Sequence, residues 1–403
     1  MSGSSSPLHI FTVFLRLGLT SFGGPVAHLG YYRRELVERR GWMDDAAYAD
    51  IVGLSQFLPG PASSQTGFAI GYLRGGLPGA IAAFVGFTLP SAILMLAIAY
   101  GSTLFSTQVG AALIHALKLV AVAVVAQAIA GMTKTLCPDA PRAGIALASF
   151  VFVLLVSVPF VQPAAIALSG LAGWLALRGK SSVPPETLRK APVAKRGPAM
   201  FALGLFGILL FALAWLAGAS DNGVLRLLDI FYRAGALVFG GGHVVLPLLE
   251  TATVTPGYMD ETLFLAGYGA AQALPGPLFA FSAYLGALLP FAPHPVVGAA
   301  LALLAIFLPG FLLIYGALPF WRGLRSSPHA SAIMKGANAG VVGLLIAAFI
   351  TPIWTSSVRT PLDLFLAASA FLLLTTFRQG SGRVVLIMAV IGIALGLLDM
   401  KPT

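Results

Sequence analysis

The hexapeptide QFLPGP at Gln56–Pro61 recurs as QALPGP at Gln272–Pro277. At about one chance in ten per identity, five matches in that hexapeptide arise by accident on the order of 10⁻⁵ of the time. Upstream, FLRLGLTSFGGP (Phe14–Pro25) returns as FYRAGALVFGGG (Phe231–Gly242). This sets Arg16 on Arg233, Gly18 on Gly235, Phe22 on Phe239, and Gly23-Gly24 on Gly240-Gly241. Between the two motifs, WMD (42–44) matches YMD (258–260); downstream, Pro90 aligns with Pro309 and Lys118 with Lys335. The offset drifts by only a few residues, so the chain reads as a tandem duplication. The first repeat covers 1–178, a linker rich in Pro and basic residues covers 179–198, and the second repeat covers 199–403.

The solvent of these repeats is lipid. Of 403 residues, 58% are hydrophobic and 9% are charged, where a soluble protein carries roughly 25% charged residues. That excludes a soluble enzyme, a disordered chain and a secreted disulfide scaffold, and the single cysteine, Cys137, leaves no intrachain disulfide. The 24 basic residues outnumber the 14 acidic ones, but they sit mostly between apolar runs. There they set topology and do not form a nucleic-acid surface. Runs of roughly 17–25 apolar residues, long enough to cross the bilayer, lie at 77–100, 108–133, 142–160, 162–178, 198–218, 296–320, 329–352, 361–377 and 383–399. Their Ala, Leu and Gly content predicts helices, not barrel strands. Four further apolar segments, 8–32, 45–74, 224–250 and 261–287, are interrupted by Gly or Pro.

Loop charges give the sense of the repeat. The first copy's loop YYRRELVERRGW carries Arg33, Arg34, Arg39 and Arg40, whereas the matching loop in the second copy is acidic, with Glu250, Asp260 and Glu261. The next pair is reversed: 101–109 is uncharged and its counterpart carries Arg322 and Arg325. Positive-inside counting puts matching loops on opposite sides of the membrane. The expected fold is therefore an all-α integral membrane protein of two inverted-topology repeats, an arrangement found in many secondary transporters. Each repeat has about four spanning helices and re-entrant helix hairpins broken at Gly/Pro tips: Gly23-Gly24-Pro25, Pro59-Gly60-Pro61, Gly240-Gly241-Gly242 and Pro275-Gly276-Pro277.

Unwound backbone at membrane depth is tolerated where protein buries it or where it lines a cavity. Half-helices starting at such breaks point free N–H groups and positive dipole ends inward. With Arg16 and Arg233 on the arms, Lys118 and Lys335 in apolar helices, and Gln56 and Gln272 before the tips, the pocket suits a small anion with several acceptor oxygens. Structural readings stand beside this one. Proline can simply kink a membrane helix, Lys118 can snorkel, and the two arginines can cap carbonyls or pair with Asp50 or Asp229. His243 is a candidate proton carrier, although the first copy has Val26 at that position. Ser55, Ser63, Ser64 and His28 form no obvious catalytic set, and no nucleotide-binding loop is present.

The FGGP segment, the WMD after an arginine-rich loop and the QxLPGP motif resemble the chromate ion transporter (CHR) family in its two-domain form, over essentially the whole chain. The second copy departs from the pattern, with GGG-His where the first has GGP. The resemblance implies chromate efflux across the bacterial inner membrane and chromate resistance, with sulfate as a chemically similar oxyanion. Membrane potential, proton exchange or both would drive it. A homodimer is admitted, and no metal or cofactor is implied. An anion channel, a sulfate carrier or a membrane-embedded enzyme are the alternatives. The topology is testable by single-cysteine labelling in a background lacking Cys137. The loop at 33–44 is expected to label from the cytoplasm and 250–261 from the periplasm; labelling of both from one side refutes the inverted repeat.

Overall fold

An apolar helix satisfies its own backbone hydrogen bonds in lipid, and each apolar run of this chain forms one. The computed structural model describes residues 6–21, 24–101, 108–156, 161–177, 196–238, 244–321 and 327–399, among which there is no strand. The first half comprises α1 (Pro7–Thr20), α2 (Gly24–Tyr32, continued by a π-helical turn at Arg33–Arg39), α3 (Asp45–Phe57), α4 (Ala62–Tyr100), α5 (Gln108–Leu136), α6 (Ala140–Leu155) and α7 (Val161–Leu177). A linking helix, α8 (Arg196–Ala219), follows. The second half comprises α9 (Gly223–Leu237), α10 (Val245–Thr253), α11 (Glu261–Ala273), α12 (Phe281–Leu288), α13 (Pro295–Ala317), α14 (Pro328–Ala348), α15 (Pro361–Thr375) and α16 (Ser381–Asp399). Polar caps start several of them: the Ser6 hydroxyl accepts from the His9 N–H, and the Asp44 and Asp260 carboxylates do the same for α3 and α11.

Among these, α4, α5, α8, α13 and α14 are long and apolar enough to cross a membrane. At 16, 17 and 15 residues, α6, α7 and α15 fall short of the roughly 20 residues of a perpendicular span. Helix α4 has 39 residues, about 58 Å if straight, nearly twice the hydrocarbon thickness. It is not straight: it reverses at Gly75-Gly76, and Gly71 then packs on the Gly79 carbonyl and on Ala83. Its arms, 62–74 and 77–100, agree with the break between segments expected from sequence. The second half repeats the reversal where α12 meets α13, Gly286 packing on the Gly298 carbonyl and Ala302. Helix α8 presents Phe201, Phe211 and Trp215 outward, each more than 70% exposed, as a lipid-facing helix must.

Two of the interrupted segments fold back on themselves. Phe14 of α1 meets Tyr32 of α2 edge-on at 5.5 Å. The Tyr284 hydroxyl of α12 donates to the Leu263 carbonyl of α11 (2.9 Å). Matching packing also recurs within each half. Gly18 of α1 lies on the carbonyls of Gly86 and Phe87 in α4, and Gly235 of α9 lies on the Ile306 carbonyl in α13. The halves then interdigitate, with α7 and α6 packing on α14 and α5 on α16. The main apolar core runs from Ile10 to Met388, with a small second cluster at Ile145, Leu177, Ala332 and Ala339.

Gly60 holds φ +120° while buried against Gly310 and Gln65. Gly60→Ala is expected to cost about 1–3 kcal/mol from backbone strain alone and to lower the detergent-solubilised melting temperature. Gly131, mid-helix in α5 with open space around it, is the control: Gly131→Ala should leave that temperature unchanged or raise it.

Candidate functional site

The two proline-flanked breaks, 58–61 and 274–277, each surrender a backbone donor at the prolines. The glycine between the prolines keeps its N–H and sends it across the molecule. The Gly60 N–H donates to the Val238 carbonyl (2.7 Å), at the end of α9. The Gly276 N–H donates to the Ser21 carbonyl (2.9 Å), at the end of α1. Ser21 and Val238 occupy matching positions of the two repeats, each immediately before its Phe-Gly-Gly. Each break also packs on the proline-bearing helix of the other half: Gly60 on Gly310, next to Pro309, and Gly276 on Ser91, next to Pro90. Positive φ at both glycines, +120° and +97°, makes these turns.

Polar side chains gather at the first break. Gln65, fully buried in the first turn of α4, donates from Nε2 to the carbonyls of Pro59 (2.9 Å) and Gly310 (3.0 Å), bridging the halves. His28 of α2 sets Nδ1 3.4 Å from Ser63 Oγ, and its ring stands edge-on to Phe87. Ser63 and Ser64 are buried in the same turn, and Pro61 provides no side-chain cap for it. The N-terminal N–H groups of α4 therefore face the break with their dipole uncompensated.

The residues singled out by sequence distribute unevenly. Pro59, Gly60, Pro61, Pro275, Gly276 and Pro277 form the two breaks, and Gly24 opens α2 with φ +77°. Gly23, Gly240, Gly241 and His243 lie outside the described residues. Gln272 is buried beside Tyr268 with Nε2 unpaired, whereas Gln56 is exposed. Arg233 pairs with buried Asp229 one helical turn away. Lys118, buried on α5, feels the charges of Glu261 and Asp260 at the start of α11 and of Arg359 just before α15. Lys335 is half-buried on α14. Arg16 is exposed and acts on Glu35, which also binds Arg40 Nε and Arg39 Nη1 at 2.7 Å each. Burial pushes the Glu35 carboxyl up, but Arg40, Arg39 and Arg16 outweigh it and hold the group below the usual range. Arg16 and Arg233 are thus directed to carboxylates on or beside their own helices. Sequence reasoning missed Gln65 and the His28–Ser63 contact; the available signal was a polar Ser-Ser-Gln directly after a Pro-Gly-Pro in an apolar run.

Comparison with known proteins gives a consistent result. A family model described as "Chromate transporter" matches residues 8–174 and again 225–397. A chromate transport protein of Cupriavidus metallidurans is 30% identical over 398 residues, covering 94% of this chain and 91% of that protein. A probable chromate transport protein of Synechococcus elongatus is 27% identical, with 87% and 88% covered. A chromate transport protein of Pseudomonas aeruginosa is 27% identical, with 90% and 86% covered. No solved structure matches the chain.

The Arg233–Asp229 pair can be separated from any role in binding by a double-mutant cycle on thermal stability. Arg233→Gln leaves the Asp229 carboxylate buried and unpaired and is expected to destabilise. Adding Asp229→Asn should recover most of the loss, with a coupling of about 0.5–3 kcal/mol. Additive losses would return Arg233 to a purely functional reading.

Proposed function

The chain belongs to the chromate transporter family, and on that premise we propose that it exports chromate by alternating access between its two repeats. The observation that carries this reading is the reciprocal pair of bonds, Gly60 to Val238 and Gly276 to Ser21. They join matched positions of the two copies, as expected of repeats related by a two-fold axis. An inverted pair of this kind presents one substrate site to either side by rocking one repeat against the other. The chain is a multi-pass membrane protein, and we place it in the bacterial plasma membrane with the arginine-rich loop at 33–44 inside. Matched broken helices around a central site are the arrangement many secondary carriers use.

The substrate site in this proposal lies at the breaks. Backbone N–H groups near Gly24, Gly60 and Gly276, with Gln56 and Gln272, would donate to the oxyanion, while Arg16, Arg233, Lys118 and Lys335 raise the potential around them. Sulfate, with the same charge and tetrahedral shape, would compete. Moving one charge through 100 mV is worth about 2.3 kcal/mol, so expelling a dianion from an inside-negative cell gains about 4.6 kcal/mol. At about 1.4 kcal/mol per decade, that sustains an outward gradient on the order of 10³-fold without a coupled ion. Membrane potential is therefore the proposed driver, with proton exchange through His243 secondary. Proteoliposome chromate flux should saturate, respond to a potassium–valinomycin potential at zero pH gradient, and keep most of that response in His243→Ala. Flux that follows the pH gradient and ignores voltage would replace this driver with electroneutral exchange. Conductance without saturation would replace the carrier with a channel.

A further inference from the structure

The scaffold is repeated, but the chemistry at its two breaks is not. In register with the motifs, His28 falls on Val245, Ser63 on Phe279, Ser64 on Ala280 and Gln65 on Phe281. All four second-half residues are buried and apolar. The break at 58–61 opens directly into an α-helical arm, 62–74, whereas the one at 274–277 opens through a 3₁₀ turn at Leu278–Ala280 that continues into α12.

The polar break also holds buried groups with nothing to bind. His28 is 1% exposed and Ser64 4%; Ser64 Oγ has no hydrogen-bond partner, and His28 Nε2 has none of normal geometry, the Ser21 backbone being the ring's other neighbour. Around the same Phe87 ring, which meets His28 and Tyr32 edge-on at 5.2 Å each, Tyr32 Oη and the adjoining Thr88 Oγ1 are also unpartnered. Buried polar atoms are normally paired, and clusters left open mark a site for something else. The Ser63 hydroxyl lies 3.4 Å from Nδ1, a contact that either tautomer makes. In the tautomer with Ser63 donating to Nδ1, the proton sits on Nε2. What faces the break is then a set of donors: the N–H groups of Ala62, Ser63 and Ser64, a hydroxyl and an imidazole N–H. No hydrogen bond or ion pair brings a carboxylate to His28, Ser63 or Ser64 among the described residues.

We propose that the oxyanion is bound by the first repeat alone, at the N-terminus of α4, with Ser64 Oγ and His28 Nε2 as its side-chain donors and Ser63 positioning the imidazole. The second repeat contributes an apolar wall at the matched positions. This rests on the oxyanion-carrier reading above and narrows its site to one copy: the Gly276 N–H is already given to the Ser21 carbonyl, and Gly276 and Gln272 shape the second break without donating to the anion.

Isothermal titration of the purified full-length protein with chromate tests it. Hydrogen bonds to a charged group set the scale, so Ser64→Ala and His28→Asn should each weaken binding by about 10-fold or more. Gly131→Ala, at an open helix position, should bind as wild type. Ser64→Ala has a second readout: it removes an unpaired buried hydroxyl, so the ligand-free melting temperature should hold or rise while the chromate-induced increase shrinks. That variant carries the test even if His28→Asn does not fold. Wild-type affinity in Ser64→Ala overturns the single-repeat site while leaving chromate transport standing. Wild-type protein that binds sulfate but not chromate overturns the chromate reading, and the same variants then test the site with sulfate. Binding of neither anion overturns both.

Discussion

A backbone N–H deep in a membrane protein has no water to fall back on, and the two proline-flanked breaks would strand theirs. The fold answers by giving each one to the opposite half: Gly60 to Val238 and Gly276 to Ser21. Nearly everything else in the architecture follows from that exchange. The breaks must lie against the ends of α1 and α9, so α1 packs closely on α4 through Gly18 and α9 on α13 through Gly235. The α4 reversal at Gly75-Gly76 and the matching α12–α13 reversal bring Pro90 and Pro309 opposite the breaks. Each half thus depends on the other for one backbone partner at its break.

Symmetry of the scaffold and symmetry of the chemistry are separate matters. A duplicated gene begins with both, and packing constrains only the first. Gly60 and Gly276 both need positive φ and both oppose a proline-bearing helix, so drift at either is costly. His28, Ser63 and Ser64 carry no such constraint, and their counterparts Val245, Phe279 and Ala280 fill the same space with apolar groups. One copy can therefore become an inert wall without loss of stability. Burying Phe279 is favourable where burying a second set of unpaired hydroxyls is not.

How much of this was legible in the sequence follows from the range of each signal. Helix existence and ends came from apolar runs and Gly/Pro punctuation, both local; α5, α13 and α16 start and stop within a few residues of the sequence reading. The Arg233–Asp229 pair was visible as an i,i+4 alternative. The bond from Gly60 to Val238 was not, because nothing local in QFLPGP names a partner in the other half. Gln65 and His28 were passed over for a related reason. Aligning the copies highlights what both retain, so Gln56 and Gln272 drew attention. A residue present in only one copy looks like noise in that comparison. Gln56 proves exposed, while Gln65 ties the first break to Gly310.

The disposition of charge decides which step of the proposed cycle feels the membrane potential. Three cations flagged in the apolar segments have carboxylate company: Arg233 with Asp229, Lys118 with Glu261 and Asp260, and Arg16 with Glu35. The donors at the first break are neutral amides, hydroxyls and an imidazole. Had a fixed lysine or arginine lined that site, it would have cancelled part of the dianion's charge, and the empty carrier would have returned with a positive charge of its own. With neutral donors, the empty form moves almost no charge and the loaded form moves close to two. Voltage then acts on the outward, loaded step and spares the return. Helix-terminus amides suit this arrangement because their partial charges belong to the peptide units and add no net charge to the moving body.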